Sequence, residues 1–159
     1  MSSRKNKSLY LIAHHLRSLY NVGSLFRTAD GAGVSKLILS GYTGYPPCPK
    51  ISKVALGAEK TVPWEKVIDI GPCLHKLKKQ GFQIVALEIG KKGINFQKFK
   101  PKFPLALIIG NEKRGLSPAI LSKADKCIYI PMRGEKESLN VSVAAGVALY
   151  EILRDSDII

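Results

Sequence analysis

Residues 130–145 read Ile130-Pro-Met-Arg-Gly-Glu-Lys-Glu-Ser138-Leu-Asn140-Val-Ser-Val-Ala-Ala145, and they join a short apolar strand to a helix of small residues. Ser138 and Asn140 stand where the first turn of this helix is expected. Because the first turn of a helix has free backbone N–H groups, polar side chains placed there converge with those donors on one point. The stretch therefore predicts a ligand site where the strand meets the helix. A simple cap on a well-packed helix would explain Ser138, but it leaves Asn140 and the turn Pro131 to Gly134 unexplained.

Short apolar runs alternate with helical segments along the whole chain. The predicted strands are Leu9 to Ala13, Lys36 to Ser40, Gln83 to Glu88, Leu105 to Ile109 and Cys127 to Ile130, and the predicted helices run from about Val22 to Gly33, Cys73 to Gln80, Pro118 to Ala124 and Leu139 to Arg154. Such alternation predicts an α/β fold, with a mostly parallel sheet and helices on both faces. No linker divides the 159 residues, so they are expected to form a single domain. The long loop Gly41 to Pro49 is predicted to serve binding.

The chain carries a formal net charge of +13, from 25 basic and 12 acidic residues. Clustered lysines and arginines bind polyanions by releasing counterions from phosphates, so the charge points to a nucleic acid or to an anionic membrane surface. The lysines are spread along the sequence, however, and a solvated, lysine-rich surface would account for the same charge. The charge by itself does not choose among these partners.

The length of the apolar runs argues against export and membrane insertion. The longest runs are of strand length, far below the ~20 residues of a membrane-spanning helix. The apolar stretch after the basic N-terminus is ended early by the histidine pair at positions 14 and 15. The expected location is therefore cytoplasmic, with no membrane contact. The cysteines, at positions 48, 73 and 127, are odd in number and far apart, which favours reduced thiols over disulfides or zinc ligands.

A helical pattern with two polar residues of interest occurs in Asn21-Val-Gly-Ser-Leu-Phe-Arg27-Thr-Ala-Asp-Gly-Ala-Gly33. Asn21 stands near the helix start, where it would serve as an N-cap. Arg27, six positions later, is flanked by apolar residues in a weakly charged helix, and such an arginine normally has a fixed anionic partner. Asp30, three positions further on, is the obvious structural partner. The residues alone support a functional and a structural role for Arg27 equally.

A buried strand runs into a glycine-bounded loop in Leu105-Ala-Leu-Ile-Ile-Gly110-Asn-Glu112-Lys-Arg-Gly115-Leu-Ser117-Pro118. Ser117 and Pro118 are a strong cap and first-turn pair for the helix that follows. The loop presents backbone groups and one acid, Glu112, which suits a cationic or adenosine-bearing ligand. Alternatively, Glu112 is solvated or paired with Arg114, and the loop taken alone favours this second interpretation.

Neither glycine pattern forms a common nucleotide-binding fingerprint. Gly110 and Gly115 have the spacing of the phosphate-binding P-loop, but Leu116 stands where that loop requires a lysine. Gly31 and Gly33 have the spacing of the first two glycines of a dinucleotide site, but Lys36 stands where that site requires its third glycine. An α/β enzyme with a nucleotide cofactor of either kind is therefore disfavoured.

Together the three stretches resemble the motifs of the SpoU (TrmH-like) branch of the SPOUT superfamily, the knotted enzymes that methylate RNA ribose. The matching features are an Asn and an Arg six positions apart, a Gly-x-Glu-x-x-Gly-Leu loop after a buried strand, and Ile-Pro-Met followed by Ser-Leu-Asn-Val-Ser. They agree with the family in order, spacing and position. The resemblance covers the chain from its first strand to its last helix, and implies one catalytic domain without the appended RNA-binding domain of many relatives.

The resemblance implies that the C-terminal part of the sheet is threaded into a deep trefoil knot, an exception to the rule that chains do not thread loops. S-adenosylmethionine would be bound in the knot. By their position in the motifs, six residues would surround it: Leu87, Gly110, Ile130, Met132, Ser138 and Leu139. The resemblance also implies a homodimer with the C-terminal helix in the interface, for which the small-residue face of Val141, Ala145 and Leu149 is predicted together with part of the first helix.

The implied reaction is methyl transfer from S-adenosylmethionine to a ribose 2′-hydroxyl of tRNA or rRNA. Because arginine stays protonated, Arg27 would bind the adjacent phosphate and stabilise the developing 2′-oxyanion rather than remove the proton. Asn21, Glu112 and Asn140 would orient Arg27 and the ribose. No metal is required, and the three histidines are assigned no role. The alternative interpretation is a basic RNA-binding module without catalysis, in which these four residues are scaffold.

Overall fold

The computed structural model describes residues 7–88 and 93–156. Within these ranges the strands are β1 Leu9–His14, β2 Lys36–Ser40, β3 Trp64–Val67, β4 Gln83–Leu87, β5 Ile94–Asn95, β6 Leu105–Ile109 and β7 Lys126–Tyr129. The helices are α1 Leu19–Ala32, α2 Pro49–Ala55, α3 Ala58–Thr61, α4 Ile70–Lys79, α5 Pro118–Lys123 and α6 Val141–Ile152. The strands form one parallel sheet in the order β3-β2-β1-β6-β4-β7-β5. In the same two ranges, no helix is both long and apolar enough to cross a membrane.

Helices cover both faces of the sheet, and each face has its own hydrophobic core. On one face α1 and α6 pack on the sheet, with Phe26 and Leu149 fully buried. On the other face α4 and α5 pack through residues that include Leu74 and Ile120. Alternate residues of β1 face the two cores, as the two-residue period of a strand requires. The predicted α/β fold is confirmed, whereas the trefoil knot stays a prediction.

The predicted strands are all present, but several helix boundaries differ. α1 begins three residues earlier than predicted because Ser18 is its N-cap: the Ser18 hydroxyl accepts a hydrogen bond from the Asn21 backbone N–H. Asn21 is therefore not the N-cap of α1. α6 begins two residues later than predicted, with Asn140 as its N-cap. The sequence patterns missed α2, α3, β3 and β5, which are too short to show a clear period.

The predicted dimer face on α6 is wrong for two of its three residues, Ala145 and Leu149, whereas Val141 is half-buried. Ala145 and Leu149 are fully buried against the sheet of their own chain, so they are not available to a second protomer. The apolar residues that α6 exposes lie on another side of the helix: Val143, Val147 and Tyr150, with exposed fractions of 51%, 40% and 58%. Because α6 is apolar on most of its surface, the sequence pattern alone could not show which side faces the core.

A polar contact is buried at the carboxyl ends of β1 and β2. His14 is only 7% exposed, and its Nδ1 lies 2.9 Å from Ser40 Oγ. The pKa of His14 is lowered from 6.5 to about 4, mainly by burial and further by the neighbouring His15. His14 is therefore neutral in the folded protein at neutral pH.

We expect the folding stability to fall as the pH is lowered from 6.5 towards 4. The unfolded chain takes up a proton on His14 in this range and the folded protein does not, so the free energy of unfolding should decrease by about 2–3 kcal/mol. Denaturant unfolding at about pH 7 and about pH 4.5 measures the change. His14→Gln should flatten the dependence, whereas His75→Gln, at an exposed position, should retain it. An equally steep dependence in His14→Gln would contradict this assignment.

Candidate active site

The candidate site lies at the carboxyl edge of the sheet, where open α/β sheets bind their ligands. β6, β4 and β7 are neighbours there, and the residues that follow them enclose one pocket. Its empty volume is about 580 Å³ including the open mouth, within the range of small-molecule sites. All six residues predicted to bind the cofactor line this pocket: Leu87, Gly110, Ile130, Met132, Ser138 and Leu139. Their role in binding stays a prediction.

Hydrogen bonds and two glycines shape the loop after β6. Asn111 is buried, and its Oδ1 accepts hydrogen bonds from the backbone N–H groups of Lys113 and Arg114, both at 2.9 Å. Gly115 donates its N–H to the Asn111 carbonyl at 2.9 Å, in a left-handed conformation (φ 65°) that favours glycine. A Cβ on Gly110 would lie 2.6 Å from the Gly115 carbonyl carbon. Both glycines are therefore required by the close packing of the loop on itself.

Apolar walls and acidic side chains determine which ligands the pocket suits. Leu87, Ile130 and Leu139 provide apolar surface against which a flat base can pack. Glu88 and Glu137 also line the pocket, and their carboxylates favour a ligand that carries positive charge. S-adenosylmethionine combines an adenine base with a positively charged sulfonium group, so these residues fit the predicted cofactor.

Glu112 is bound to the start of α1. Its carboxylate accepts hydrogen bonds from the backbone N–H of Arg17 (3.1 and 3.0 Å), from the backbone N–H of Ser18 (3.0 Å) and from Asn21 Nδ2 (3.2 Å). Burial would raise the pKa of Glu112, but these hydrogen bonds outweigh burial and hold the pKa below its usual range. Glu112 is thus an ionised acceptor with its oxygens occupied. The sequence left open that Glu112 is solvated or that it pairs with Arg114. The structure shows neither arrangement.

The hydrogen bonds continue from Glu112 to α6. Asn21 donates through Nδ2 to Glu112, and Asn21 Oδ1 accepts a hydrogen bond from Asn140 Nδ2 at 3.3 Å. Asn140 Oδ1 in turn accepts from the backbone N–H groups of Ser142 (2.9 Å) and Val143 (3.3 Å), which caps α6. Three of the four predicted catalytic residues, one from each motif, are thereby joined beside the pocket. We call this row of three side chains the polar chain.

Arg27, the fourth predicted catalytic residue, is not part of the polar chain. It is exposed on α1 and lines a groove between α1 and α6 with residues that include Ser142 and Tyr150. Within residues 7–88 and 93–156 Arg27 makes no ion pair. Its expected structural partner Asp30 instead accepts a hydrogen bond from Thr61 Oγ1 at 3.2 Å. The contacts therefore give no support to a structural ion pair, and the guanidinium is available to an external anion.

Two polar residues of the site were missed by the sequence patterns. Asn111 Nδ2 donates to the His15 carbonyl at 2.9 Å and to the Tyr42 hydroxyl at 2.8 Å, which ties the loop after β6 to the end of β1. Glu88 lines the pocket and accepts a hydrogen bond from the Leu116 N–H at 3.2 Å. Asn111 and Glu88 both follow a buried strand at the carboxyl edge of the sheet. A search of the sequence for polar residues in this position would have identified them.

Comparison with known proteins gives consistent matches. The model of the SpoU rRNA methylase family matches residues 8–150. The tRNA (guanosine(18)-2′-O)-methyltransferase of Aquifex aeolicus is 39% identical over 155 residues, 97% of this chain and 72% of the relative. The SpoU methyltransferase AviRb of Streptomyces viridochromogenes, solved with AdoMet, has a TM-score of 0.86 and 29% identity, covering 94% of this chain and 60% of that one. A structure solved to study 2-OH methylation of C/U34 on tRNA has a TM-score of 0.83 and 28% identity, covering 93% and 95% of the two chains.

The relatives differ in length from this chain. It spans about three fifths of the AviRb chain and of several curated relatives, among them putative tRNA/rRNA methyltransferases of Bacillus subtilis and of Staphylococcus. The matched region is in each case nearly the whole of the present chain, at 94%, 95% and 92%. The similarity is therefore to one part of those longer proteins.

Proposed function

Because this chain belongs to the SpoU rRNA methylase family, we propose that it transfers the methyl group of S-adenosylmethionine to a ribose 2′-hydroxyl of tRNA or rRNA. The membership confirms the resemblance found in the sequence, and with it the prediction of an RNA methyltransferase that uses S-adenosylmethionine. One observation carries the proposal for this chain. Three motifs that are distant in sequence meet at one edge of the sheet, where a pocket and the polar chain lie side by side.

The residues of the chain have to orient a ribose hydroxyl and stabilise the charge that develops on its oxygen. When bound, S-adenosylmethionine supplies an electrophilic methyl carbon on a sulfonium sulfur. Holding the hydroxyl in line with that carbon removes much of the entropic barrier. Because a guanidinium does not act as a base in proteins, Arg27 serves as a phosphate-binding and charge-stabilising group. Preorganised charge of this kind is often the largest contribution to catalysis.

Glu112 acts in this proposal as a positioning residue. Its carboxylate oxygens accept hydrogen bonds from the N–H groups at the start of α1, where the helix dipole also favours a negative charge. A carboxylate with a lowered pKa is a weak proton acceptor, so proton removal by Glu112 is disfavoured. Glu112 instead fixes Asn21, which in turn contacts Asn140. The two amide side chains then form a rigid polar edge against which the ribose is held.

We infer that the active protein is a homodimer and that Arg27 acts across the dimer interface. In a single chain Arg27 lies in the groove between α1 and α6, outside the polar chain. The same side of α6 exposes Val143, Val147 and Tyr150. An exposed apolar strip of this kind favours burial against a second copy, and a two-fold axis presents the same groove to both protomers. Such an arrangement would bring Arg27 towards the partner subunit's pocket.

We further propose that residues 1–159 act as one catalytic domain in the cytoplasm. A single sheet includes every strand of the part of the chain that the structure describes, which supports one domain. The net charge of +13 supports RNA binding by the catalytic domain itself, because counterion release from phosphates does not require a separate binding domain.

Replacing Ser138 by tryptophan should abolish S-adenosylmethionine binding while the fold persists. Ser138 is exposed and lines the pocket, so a large side chain fills the ligand space without entering the core. Calorimetry should detect no binding, and a loss of affinity of about tenfold, equivalent to ~1.4 kcal/mol, is the smallest that agrees with the assignment. Ser122→Trp, at an exposed position on α5 outside the pocket, is the matched control. Unchanged affinity in Ser138→Trp would contradict the assignment, and a wild-type protein that binds RNA but no S-adenosylmethionine would be a binding module without catalysis.

A further inference from the structure

Three aromatic rings are stacked beside the pocket, at the carboxyl ends of β1 and β2. The rings of His14 and His15 have centroids 3.8 Å apart and planes tilted by 36°, whereas those of His15 and Tyr42 are 4.2 Å apart and stacked, with planes inclined by 14°. His14 is buried, whereas Tyr42 is 57% exposed. The stack therefore runs from the core to the surface and ends in an exposed tyrosine ring.

Backbone geometry and hydrogen bonds hold this stack in place. His15 has φ 56°, in the left-handed region that non-glycine residues rarely adopt, and its Nδ1 accepts a hydrogen bond from the Tyr42 N–H at 3.1 Å. A Cβ on Gly41 would lie 2.1 Å from His15 Nδ1, so glycine is required to leave room for the ring. Asn111 Nδ2 donates to the Tyr42 hydroxyl at 2.8 Å. The Tyr42 ring is thus exposed and has a fixed orientation. The strained backbone at His15, which helps to hold it, is of the kind found at functional sites.

Positive charge surrounds the exposed ring. Tyr42 lines a cleft together with Arg17, Lys113 and Arg114, and the cleft has an empty volume of about 1190 Å³. None of these three cations makes an ion pair with another residue of the two described ranges. Proteins bind single-stranded nucleic acid with this combination, because bases stack on aromatic rings and phosphates bind to neighbouring cations.

Asn111 connects the cleft with the cofactor pocket. Asn111 lines both, and its Nδ2 donates a hydrogen bond to the Tyr42 hydroxyl. The next residue in the loop is Glu112, which accepts a hydrogen bond from the Arg17 N–H. An RNA strand bound in the cleft would therefore pass beside the pocket and the polar chain.

We propose that this cleft, formed by Arg17, Tyr42, Asn111, Lys113 and Arg114, binds a single-stranded segment of the substrate RNA. One base stacks on Tyr42, and the flanking phosphates bind to the three cations. The proposal rests on the proposed function in that it takes RNA as the substrate, but RNA binding can be measured without methyl transfer. A stacked base in the cleft holds the strand so that a nearby ribose reaches the pocket.

Tyr42→Ala should weaken the binding of a short single-stranded RNA by about 5- to 150-fold, the range for the loss of one base–aromatic stack. Fluorescence anisotropy with an end-labelled RNA measures the affinity. The same RNA with 2-aminopurine in place of adenine reports stacking, since its fluorescence should be quenched by the wild type and less by Tyr42→Ala. Tyr42→Phe should bind RNA nearly as the wild type does, because the ring is kept.

Tyr45→Ala is the matched control for Tyr42→Ala. Tyr45 is also exposed in the same loop, at 51%, but its ring lies against Trp64 and Lys66 and does not line the cleft. If Tyr42→Ala lowers the melting temperature, Tyr42→Leu keeps apolar bulk without an aromatic face and should still lose affinity.

Arg114→Ala should reduce the dependence of log affinity on log salt by about 0.7, the value for one phosphate contact with a single strand.

S-adenosylmethionine affinity separates this proposal from the proposed function. The Tyr42 and Arg114 variants should bind S-adenosylmethionine as the wild type does, because neither side chain lines the cofactor pocket. Affinity for RNA within about twofold of the wild type in Tyr42→Ala, an equal loss in Tyr45→Ala, or a wild type that binds no RNA would overturn the cleft assignment. Stacking on Tyr42 by a wild type that transfers no methyl group would overturn the proposed function instead.

Discussion

Replacing Arg27 by alanine should lower the single-turnover rate of RNA methylation by about 10²-fold or more, the scale of losing one preorganised electrostatic group. The affinity for S-adenosylmethionine should stay near that of the wild type, because Arg27 does not line the cofactor pocket. Arg27→Lys should restore little of the rate, since a point charge on a flexible stem does not reproduce the planar guanidinium. Single-turnover methylation and calorimetry on the same preparations measure both quantities.

A structural role for Arg27 predicts the opposite pattern. An arginine that only held α1 in place would, on removal, lower the melting temperature and leave the folded fraction active. Because Arg27 makes no ion pair within the described ranges, we expect the melting temperature of Arg27→Ala to stay close to that of the wild type. A destabilised but fully active Arg27→Ala would remove this residue from the site.

Mixed dimers test whether Arg27 acts across the interface. Arg27→Ala lacks the guanidinium but has an intact pocket, whereas Ser138→Trp has a filled pocket but retains Arg27. Neither variant should be active alone. In an equal mixture that has exchanged subunits, about a quarter of the wild-type activity should return, because half of the dimers are mixed and each has one complete site. If Arg27 acts within its own chain, mixing the variants recovers nothing.

Replacing Val147 by glutamate should convert the dimer to monomers and reduce methylation by about 10²-fold or more, because each protomer then lacks its partner's guanidinium. Val147 is exposed on α6 beside the groove that contains Arg27. A carboxylate placed in an apolar interface would have to be desolvated without a partner, which opposes association. Sedimentation velocity at micromolar concentration, together with methylation at the same concentration, measures both effects.

The matched control for Val147→Glu is Ile68→Glu. Ile68 is also apolar and is 79% exposed, but it lies between β3 and α4, outside the groove. This variant should remain dimeric and active, which shows that an added surface carboxylate is tolerated. A wild type that sediments as a monomer, or a Val147→Glu protein that stays dimeric and active, would show that the α6 face is not the interface.

The residues around the pocket were accessible from the sequence because they stand next to strand ends. Gly110 follows β6 directly, Leu87 ends β4 and Ile130 follows β7. Once the alternation of strands and helices predicts a parallel sheet, residues after buried strands must meet at its carboxyl edge. The family motifs then select which of them matter.

The separation of Arg27 from the polar chain could not be predicted in this way. Asn21 and Arg27 belong to one motif and one helix, yet Asn21 contacts Glu112 while Arg27 lines the groove between α1 and α6. Six positions along a helix amount to less than two turns but to a large rotation, so the two side chains leave the helix in different directions. Which direction faces the pocket depends on how α1 packs on the sheet and on α6.

The sequence by itself determined the α/β class, the five predicted strands and the residues at their carboxyl ends, because each of these follows from local periodicity and from position relative to a strand end. Only the tertiary structure decided that Glu112 binds the start of α1, that Asn140 contacts Asn21, and that α6 buries Ala145 while exposing Val147. The two hydrogen-bonded contacts join residues 94 and 119 positions apart in sequence. Contacts between residues so far apart in sequence depend on how whole helices and strands pack together. The side of α6 that faces the core cannot be predicted from its sequence, because α6 is apolar on most sides.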